Sequence, residues 1–150
     1  MSLIDITAPQ FEGRVFSADI MANFNKLLST TTDPLDVKFG NITLGGKLNL
    51  GSATELTIAN GAITITKSFH TVDTESNAES DDLTTINGGA EGDILLLKLQ
   101  STTRTVTVKD NDNLKLAGDF TLSSWQDTIV LMYYSTGSTG WIELTRSNNN

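Results

Sequence analysis

The clearest pattern in the chain is a series of apolar pairs between residues 35 and 67. One residue separates the two members of each pair, so both side chains point the same way on a strand. Short turns rich in glycine and asparagine separate the pairs, which predicts short strands whose spacing is too irregular for a strict solenoid repeat. The pairs are Val37 and Phe39, Ile42 and Leu44, Leu48 and Leu50, Leu56 and Ile58, and Ile63 and Ile65.

Each of these strands offers only two or three inward-facing apolar side chains, and one chain of such strands is not expected to enclose a core. Three chains could do so, with their Leu and Ile side chains meeting on a three-fold axis, as in a trimeric β-prism or a β-helix-like shaft. The alternative is a β-meander inside a monomeric sandwich. The predicted oligomer core consists of Ile42, Leu44, Leu48, Leu50, Leu56, Ile58, Ile63 and Ile65.

Residues 1–34 are predicted to form an extended arm followed by one short helix over residues 17–29. Ser17 suits the N-cap, Asp19 lies in the first turn, and the apolar residues that follow recur at helical spacing. The apolar arm packs either on its own chain or on a neighbouring subunit. The residues predicted to attach to a partner are Leu3, Ile4, Ile6, Phe11, Val15, Phe16, Ile20, Phe24 and Leu27.

Residues 68–150 are predicted to form a separate C-terminal β-domain, either a small sandwich or a barrel. It opens with a long acidic loop, because residues 68–92 contain no Lys or Arg. The fold class is therefore mainly β, with an N-terminal arm and helix, a trimeric short-strand segment over 35–67 and this domain. Its predicted strands are Asp93–Leu99, Thr103–Lys109, Leu114–Ala117 continuing into Asp119–Leu122, Asp127–Tyr134 and Trp141–Thr145.

Composition narrows the classes of function. The 150 residues carry a net charge of −8, which disfavours a nucleic-acid binder because phosphates attract Lys and Arg. The chain has no cysteine and one histidine, so thiolate chemistry is excluded and a histidine metal site is disfavoured. No apolar run approaches the roughly 20 residues of a membrane span, and the N-terminus lacks signal-peptide features. These features favour a soluble, non-enzymatic protein without a cofactor.

Several candidate sites have simpler structural interpretations. The run Asp110–Asn113 resembles the start of a calcium loop, but Lys115 and Thr121 occupy the positions that need Gly and Glu, which favours a polar turn. The acidic segment 73–93 is either a solvated surface, a metal site or a docking surface for a basic partner. Asp81 and Asp82 point opposite ways on a strand, and His70 is interpreted as a junction residue bonded to nearby backbone.

The four Trp and Tyr residues could line a sugar-binding face, because aromatic rings pack well on carbohydrate. Tyr133 and Tyr134 face opposite sides of one strand, however, so core packing with one aromatic residue at the rim is the simpler interpretation. The four residues are Trp125, Tyr133, Tyr134 and Trp141.

Residues 17–24 resemble the short N-terminal helix of many tailed-phage fibre and appendage proteins, and the apolar pairs from Ile42 to Ile65 look like the shaft that follows it there. Residues 63–75, together with 83–89 and 141–144, resemble a small β-domain that recurs in phage virion proteins. The resemblance implies a structural protein of a bacteriophage virion, made in the host bacterial cytoplasm. It carries over no catalytic residue.

The small size favours a homotrimeric capsid decoration (cement) protein on the capsid surface, with the major capsid protein as its partner. The alternative is a tail-fibre or appendage adaptor, or a short receptor-binding fibre, whose partners are tail or portal proteins or a host glycan. A small depolymerase is the least favoured class, because it would need a carboxylate cleft between chains.

Overall fold

The computed structural model describes residues 10–11, 14–15, 44–137 and 139–149, and this part of the chain is mainly β with almost no helix. The chain divides into two compact units, Met1–Gly46 and Lys47–Asn150. In the first unit, β1 (Gln10–Phe11) pairs with β2 (Arg14–Val15) in an antiparallel manner. The helix predicted over 17–29 and the first apolar pair lie outside the described residues.

The second unit is a solenoid-like stack of about three turns. The chain returns to the same wall after each turn and pairs in parallel with the strand of the turn before, which is what makes the arrangement a stack. The stacked strands are β3 (Thr54–Thr57), β5 (Phe69–Asp73) and β8 (Ile94–Leu99) on the first wall, β6 (Ser80–Leu83) and β9 (Thr105–Val108) on the second, and β4 (Ala62–Thr64) and β7 (Thr85–Asn87) on the third.

Later strands add to these walls in mainly antiparallel fashion. β11 (Phe120–Leu122) pairs with β9, β12 (Thr128–Tyr134) pairs with β8, and β13 (Gly140–Ser147) pairs with β12. The two-residue β10 (Leu114–Lys115) lies parallel to β13. The first wall is therefore a six-stranded sheet in the order β10-β13-β12-β8-β5-β3, and a short 3-10 turn (Glu75–Asn77) links β5 to β6.

The core lies inside the stack and follows the period-two alternation of the strands. In β8, for example, every second side chain is buried while those between them are exposed or half-buried. The buried apolar side chains come from all three walls. They are Ile58, Ile63, Val72, Leu83, Ile86, Leu95, Leu97, Leu99, Val106, Val108, Leu114, Phe120, Leu122, Ile129, Leu131 and Trp141.

The strands predicted after residue 92 are confirmed to within about two residues at most ends, although Leu114–Leu122 is broken between β10 and β11. The strand pairing does not confirm a separate C-terminal sandwich or barrel. The boundary predicted between residues 67 and 68 falls inside the six-stranded sheet, where β3 lies beside β5 and β5 beside β8. The reason is that residues 94–108 pair with earlier strands and form the third turn of the stack.

Candidate functional site

The first half of the predicted oligomer core is exposed. Leu44, Leu48 and Leu50 are 56%, 73% and 41% exposed, and the strands predicted over 42–44 and 48–50 do not form in residues 44–50. A strand needs a neighbour that accepts its backbone hydrogen bonds, and this segment pairs with no described strand. Ile42 lies outside the described residues.

The second half of that set lies inside the chain's own core. Ile58 and Ile63 are 1% and 3% exposed, and Leu56 and Ile65 are partly buried against the same cluster. The expectation that one chain could not enclose these side chains is therefore wrong for Ile58 and Ile63. The physical reason is that the second and third turns of the stack supply the walls that bury them.

Most of the residues predicted to attach to a partner lie outside the described part of the chain. Phe11 and Val15 belong to the short β1–β2 sheet, where Phe11 is paired with Arg14 and Val15 with Gln10. The attachment role of the whole set stays a prediction.

In the acidic segment 73–93, several carboxylates bind backbone N–H groups of the segment itself. Asp81 accepts hydrogen bonds from the N–H groups of Glu75 and Asp82, and Asp93 accepts one from Ala90. Glu91 is bound by the backbone N–H and hydroxyl of Ser135, and these bonds lower its pKa. No group of three acidic or histidine side chains able to hold a metal ion occurs among the described residues.

Asp73 forms an ion pair with Arg104. Nε and Nη2 of Arg104 donate to its two carboxylate oxygens over 2.8 Å and 2.5 Å, and the Asp73 side chain is almost completely buried. The Arg104 guanidinium holds the pKa of Asp73 below its usual value. Because Asp73 ends β5 and Arg104 precedes β9, the pair joins two turns of the stack.

The run Asp110–Asn113 forms the polar turn predicted for it. Asn111 Oδ1 accepts from the N–H groups of Asn113 and Leu114, and Asp110 Oδ1 accepts from Leu116 N–H. Asn113 Oδ1 accepts from Ile86 N–H in the preceding turn of the stack. These oxygens therefore organise backbone, which agrees with a polar turn and not with a calcium loop.

His70 is fully buried and acts as the predicted junction residue. Its Nε2 accepts from the N–H groups of Thr66 and Lys67, each at 3.1 Å, and its Nδ1 lies 3.0 Å from the carbonyl oxygen of Thr54. An atom that accepts two N–H bonds carries no proton, so the proton resides on Nδ1 and is donated toward Thr54. The ring therefore ties β3 to the turn that precedes β5.

The aromatic residues do not share one surface. Trp141 is completely buried, donates from Nε1 to the carbonyl of Ile86 and meets the edge of Tyr133 at 5.2 Å between ring centroids. Trp125 lies instead on an exposed loop with 57% of its surface accessible, and the Nζ of Lys98 lies 5.5 Å from its ring centroid. Tyr134 is also exposed, at 37%, so core packing is confirmed for Trp141 but two aromatic residues are accessible instead of the one that was predicted.

Sequence reasoning missed the buried carboxylate of Asp127. Its Oδ2 accepts from the N–H groups of Ser123 and Ser124, and its Oδ1 accepts from Asn149 N–H at 2.7 Å. Burial raises the pKa of Asp127, but the N–H donors outweigh burial and leave it lowered. Asp127 thus fixes both the Trp125 loop and the C-terminal strand end, a role that a single Asp in a turn does not signal in sequence.

A shallow pocket lies at the corner between β4 and β5. Its lining includes Thr66, Lys67 and Ser68 with Asp93 and Ile94 opposite. Lys67 and Asp93 are its charged groups. His70, the only histidine of the sequence, is buried with both ring nitrogens engaged and is not among the residues that line this pocket.

The comparisons with protein families and curated proteins do not assign the chain to a family. No protein-family model matches the chain, and no curated protein matches its sequence. Within the described residues, no helix has the length and apolar character required to cross a bilayer.

Proposed function

We propose that this chain is a non-enzymatic structural protein of a tailed-phage virion, acting as a homotrimeric capsid decoration protein. The observation that carries the proposal is the exposure of Leu44, Leu48 and Leu50 directly before a solenoid that completes its own core. Burying a leucine stabilises by about 1.5–3 kcal/mol, so three chains that share these side chains gain a substantial driving force for association.

In this proposal, residues 42–50 of three chains form the short-strand prism around a three-fold axis. The arm and helix of residues 1–34 attach to the major capsid protein, as the resemblance to phage proteins implies. The solenoid faces outward, and its net negative charge keeps particles mutually repelling. A protein that binds only the assembled lattice stabilises that lattice by mass action.

Capsid binding tests this function. The purified protein is added to undecorated capsids of the phage that encodes it, and bound copies are counted after sedimentation. We expect saturation at hundreds of copies per particle and a higher temperature of capsid disruption. Absence of binding to the capsid lattice would contradict the proposal.

A receptor-binding or tail-fibre role is the second candidate, and the exposed Trp125 favours it. Asp127 Oδ2 accepts hydrogen bonds from the N–H groups of Ser123 and Ser124 in the loop of this residue, and an exposed aromatic ring can stack against a host glycan. Copy number distinguishes the two roles, because an appendage occupies tens of sites or fewer per particle. A depolymerase would instead lower the viscosity of a host polysaccharide on mixing.

A further inference from the structure

Trp125 is the most exposed aromatic residue in the described part of the chain, with 57% of its surface accessible. Tryptophan usually buries its large ring, so an exposed one is informative. The loop that carries it is bonded to the rest of the chain on both sides of the ring. Asp127 Oδ2 accepts from the N–H group of Ser124, and the side chain of Asn149 donates to the carbonyl oxygen of Gln126. Trp125 is therefore presented by a hydrogen-bonded loop and not by a chain end.

The side chain beside this ring is a lysine without an acidic partner. Lys98 projects from the outer face of β8, and its Nζ lies 5.5 Å from the centroid of the Trp125 ring. It forms no ion pair with a described carboxylate, whereas Arg104, Lys109 and Arg146 each do. The N–H donors of its ammonium group are therefore available to water or to a ligand.

Hydroxyl groups lie on both sides of Lys98 in the sheet. Thr71 on β5 and Thr128 on β12 are its direct neighbours on the same outer face, and all three side chains are half-buried. At a strand spacing of about 4.8 Å, these three side chains cover roughly 10 Å. Each hydroxyl can both donate and accept a hydrogen bond. An aromatic ring beside a short row of donors and acceptors suits a sugar, which has an apolar C–H face and polar hydroxyl edges.

The carboxylates near this row indicate the charge of the ligand. Exposed Glu55 on β3 continues the row beyond Thr71, while Asp73 on the same face is paired with Arg104. The carboxylate of Asp127 lies in the tryptophan loop itself. Together with the net charge of −8, these groups repel an acidic saccharide. The row therefore suits an uncharged saccharide.

We infer that Trp125, Lys98 and the two flanking threonines bind an uncharged oligosaccharide. The C–H face of one sugar ring stacks on the indole, because the electron-rich face of the indole attracts weakly positive C–H hydrogens. The ammonium group of Lys98 and the threonine hydroxyls donate hydrogen bonds to the sugar oxygens. This inference rests on the glycan-binding role given above as the second candidate function, and it is independent of the proposed trimer and of capsid binding.

Calorimetric titration of the full chain with oligosaccharides tests the inference. The probes are hexasaccharides of glucose, of mannose and of N-acetylglucosamine, with the hexamer of galacturonic acid as the acidic counterpart. We expect at least one neutral hexasaccharide to bind, and to bind more tightly than the acidic one. Because Trp141 is completely buried, binding should change the fluorescence of Trp125 alone. Absence of binding by all three neutral probes would overturn the inference.

Substitutions locate the site on the protein. We expect Trp125→Ala to weaken binding of the hexasaccharide about tenfold or more, and Lys98→Gln about threefold to tenfold. Tyr134→Ala is the matched control and should leave the affinity unchanged. Tyr134 is also exposed, but it lies six residues along β12 from Thr128, roughly 20 Å away. Circular dichroism verifies that each variant is folded, and unchanged binding by folded Trp125→Ala would overturn the inference.

The outcomes separate the inference from the proposed function. Capsid binding without saccharide binding overturns the inference and leaves the decoration role standing. Saccharide binding at Trp125 without capsid binding overturns the decoration role and supports the receptor-binding candidate. Tighter binding of the galacturonic acid hexamer than of every neutral probe overturns the uncharged ligand, and the inference with it.

Discussion

At the residue scale, Gly89 packs directly against the aromatic rings of Tyr133 and Trp141, where a larger residue has no room. A Cβ at Gly89 would lie 2.4 Å from a ring carbon of Tyr133 and 2.8 Å from one of Trp141. Such distances are well inside van der Waals contact, and Trp141 is completely buried and cannot shift into solvent. The space at residue 89 is therefore part of the aromatic packing.

We predict that Gly89→Ala lowers the free energy of unfolding by about 1–3 kcal/mol through overpacking. Urea denaturation followed by tryptophan fluorescence measures the change. Gly46→Ala is the control, because a Cβ there meets nothing within 4 Å. Equal stability of the two variants would show that the rings move aside freely.

Asp127 gives the chain a pH-dependent contribution to stability. Its N–H donors lower the pKa in the folded state despite the opposing effect of burial. A carboxylate with a lowered folded-state pKa contributes fully above its unfolded value of about 4, and this contribution is lost as the pH falls through the folded value.

We predict that Asp127→Asn destabilises by about 1–3 kcal/mol at pH 7, because charge-assisted bonds to three N–H groups are weakened. The difference in the free energy of unfolding between this variant and wild type should shrink as the pH is lowered from 6 to 3, because the Asp127 carboxylate of wild type then becomes protonated. Chemical denaturation at a series of pH values checks this. Asp112→Asn, at an exposed residue, is the control and should show no such trend.

At the element scale, period-two patterns located the strands but not their partners. β8 and β12 are nearly continuous apolar runs in the sequence, and the predicted bounds of both strands lie close to the observed ends. Such a run indicates a strand, yet it does not show whether the strand beside it is parallel or antiparallel. The sequence therefore predicts a separate C-terminal sandwich or barrel. In the structure, β8 instead continues the parallel stack that β3 and β5 begin.

The candidate site was only partly predictable for the same reason. The apolar pairs from 48 to 65 look alike in sequence, but Leu48 is exposed and Ile58 buried, because burial depends on strands that follow much later in the chain. His70 was identified as a junction residue because it is the only histidine and follows the last pair. Gly89 and Asp127 carry no local pattern that marks their roles.

The junction between β4 and β5 depends on His70. We predict that His70→Ala lowers the free energy of unfolding by about 2–4 kcal/mol, since it leaves a cavity and removes the acceptor of two N–H groups. Amide hydrogen exchange should speed up most at Thr66 and Lys67. Uniformly faster exchange throughout the stack, with no excess at these two amides, would argue against a local junction role.

At the scale of the whole molecule, leucines and isoleucines of one sequence pattern occupy two different environments, exposed before the solenoid and buried inside it. We predict that Ile58→Ala lowers the free energy of unfolding by about 2–4 kcal/mol, because Ile58 is buried within its own chain. Leu48→Lys should change monomer unfolding by less than about 0.5 kcal/mol but weaken association of the chains. Denaturation and sedimentation of both variants measure the two effects. If Leu48→Lys instead lowered the free energy of unfolding as much as Ile58→Ala, Leu48 would have to lie in the folded core, which would contradict the prediction.

The solution mass of the wild-type protein, measured by light scattering at two concentrations, tests the central claim most directly. The account predicts one stable species near three times 16.2 kDa, unchanged on dilution, because the proposed trimer buries the exposed leucines between copies. A stable species of 16.2 kDa at both concentrations would contradict it.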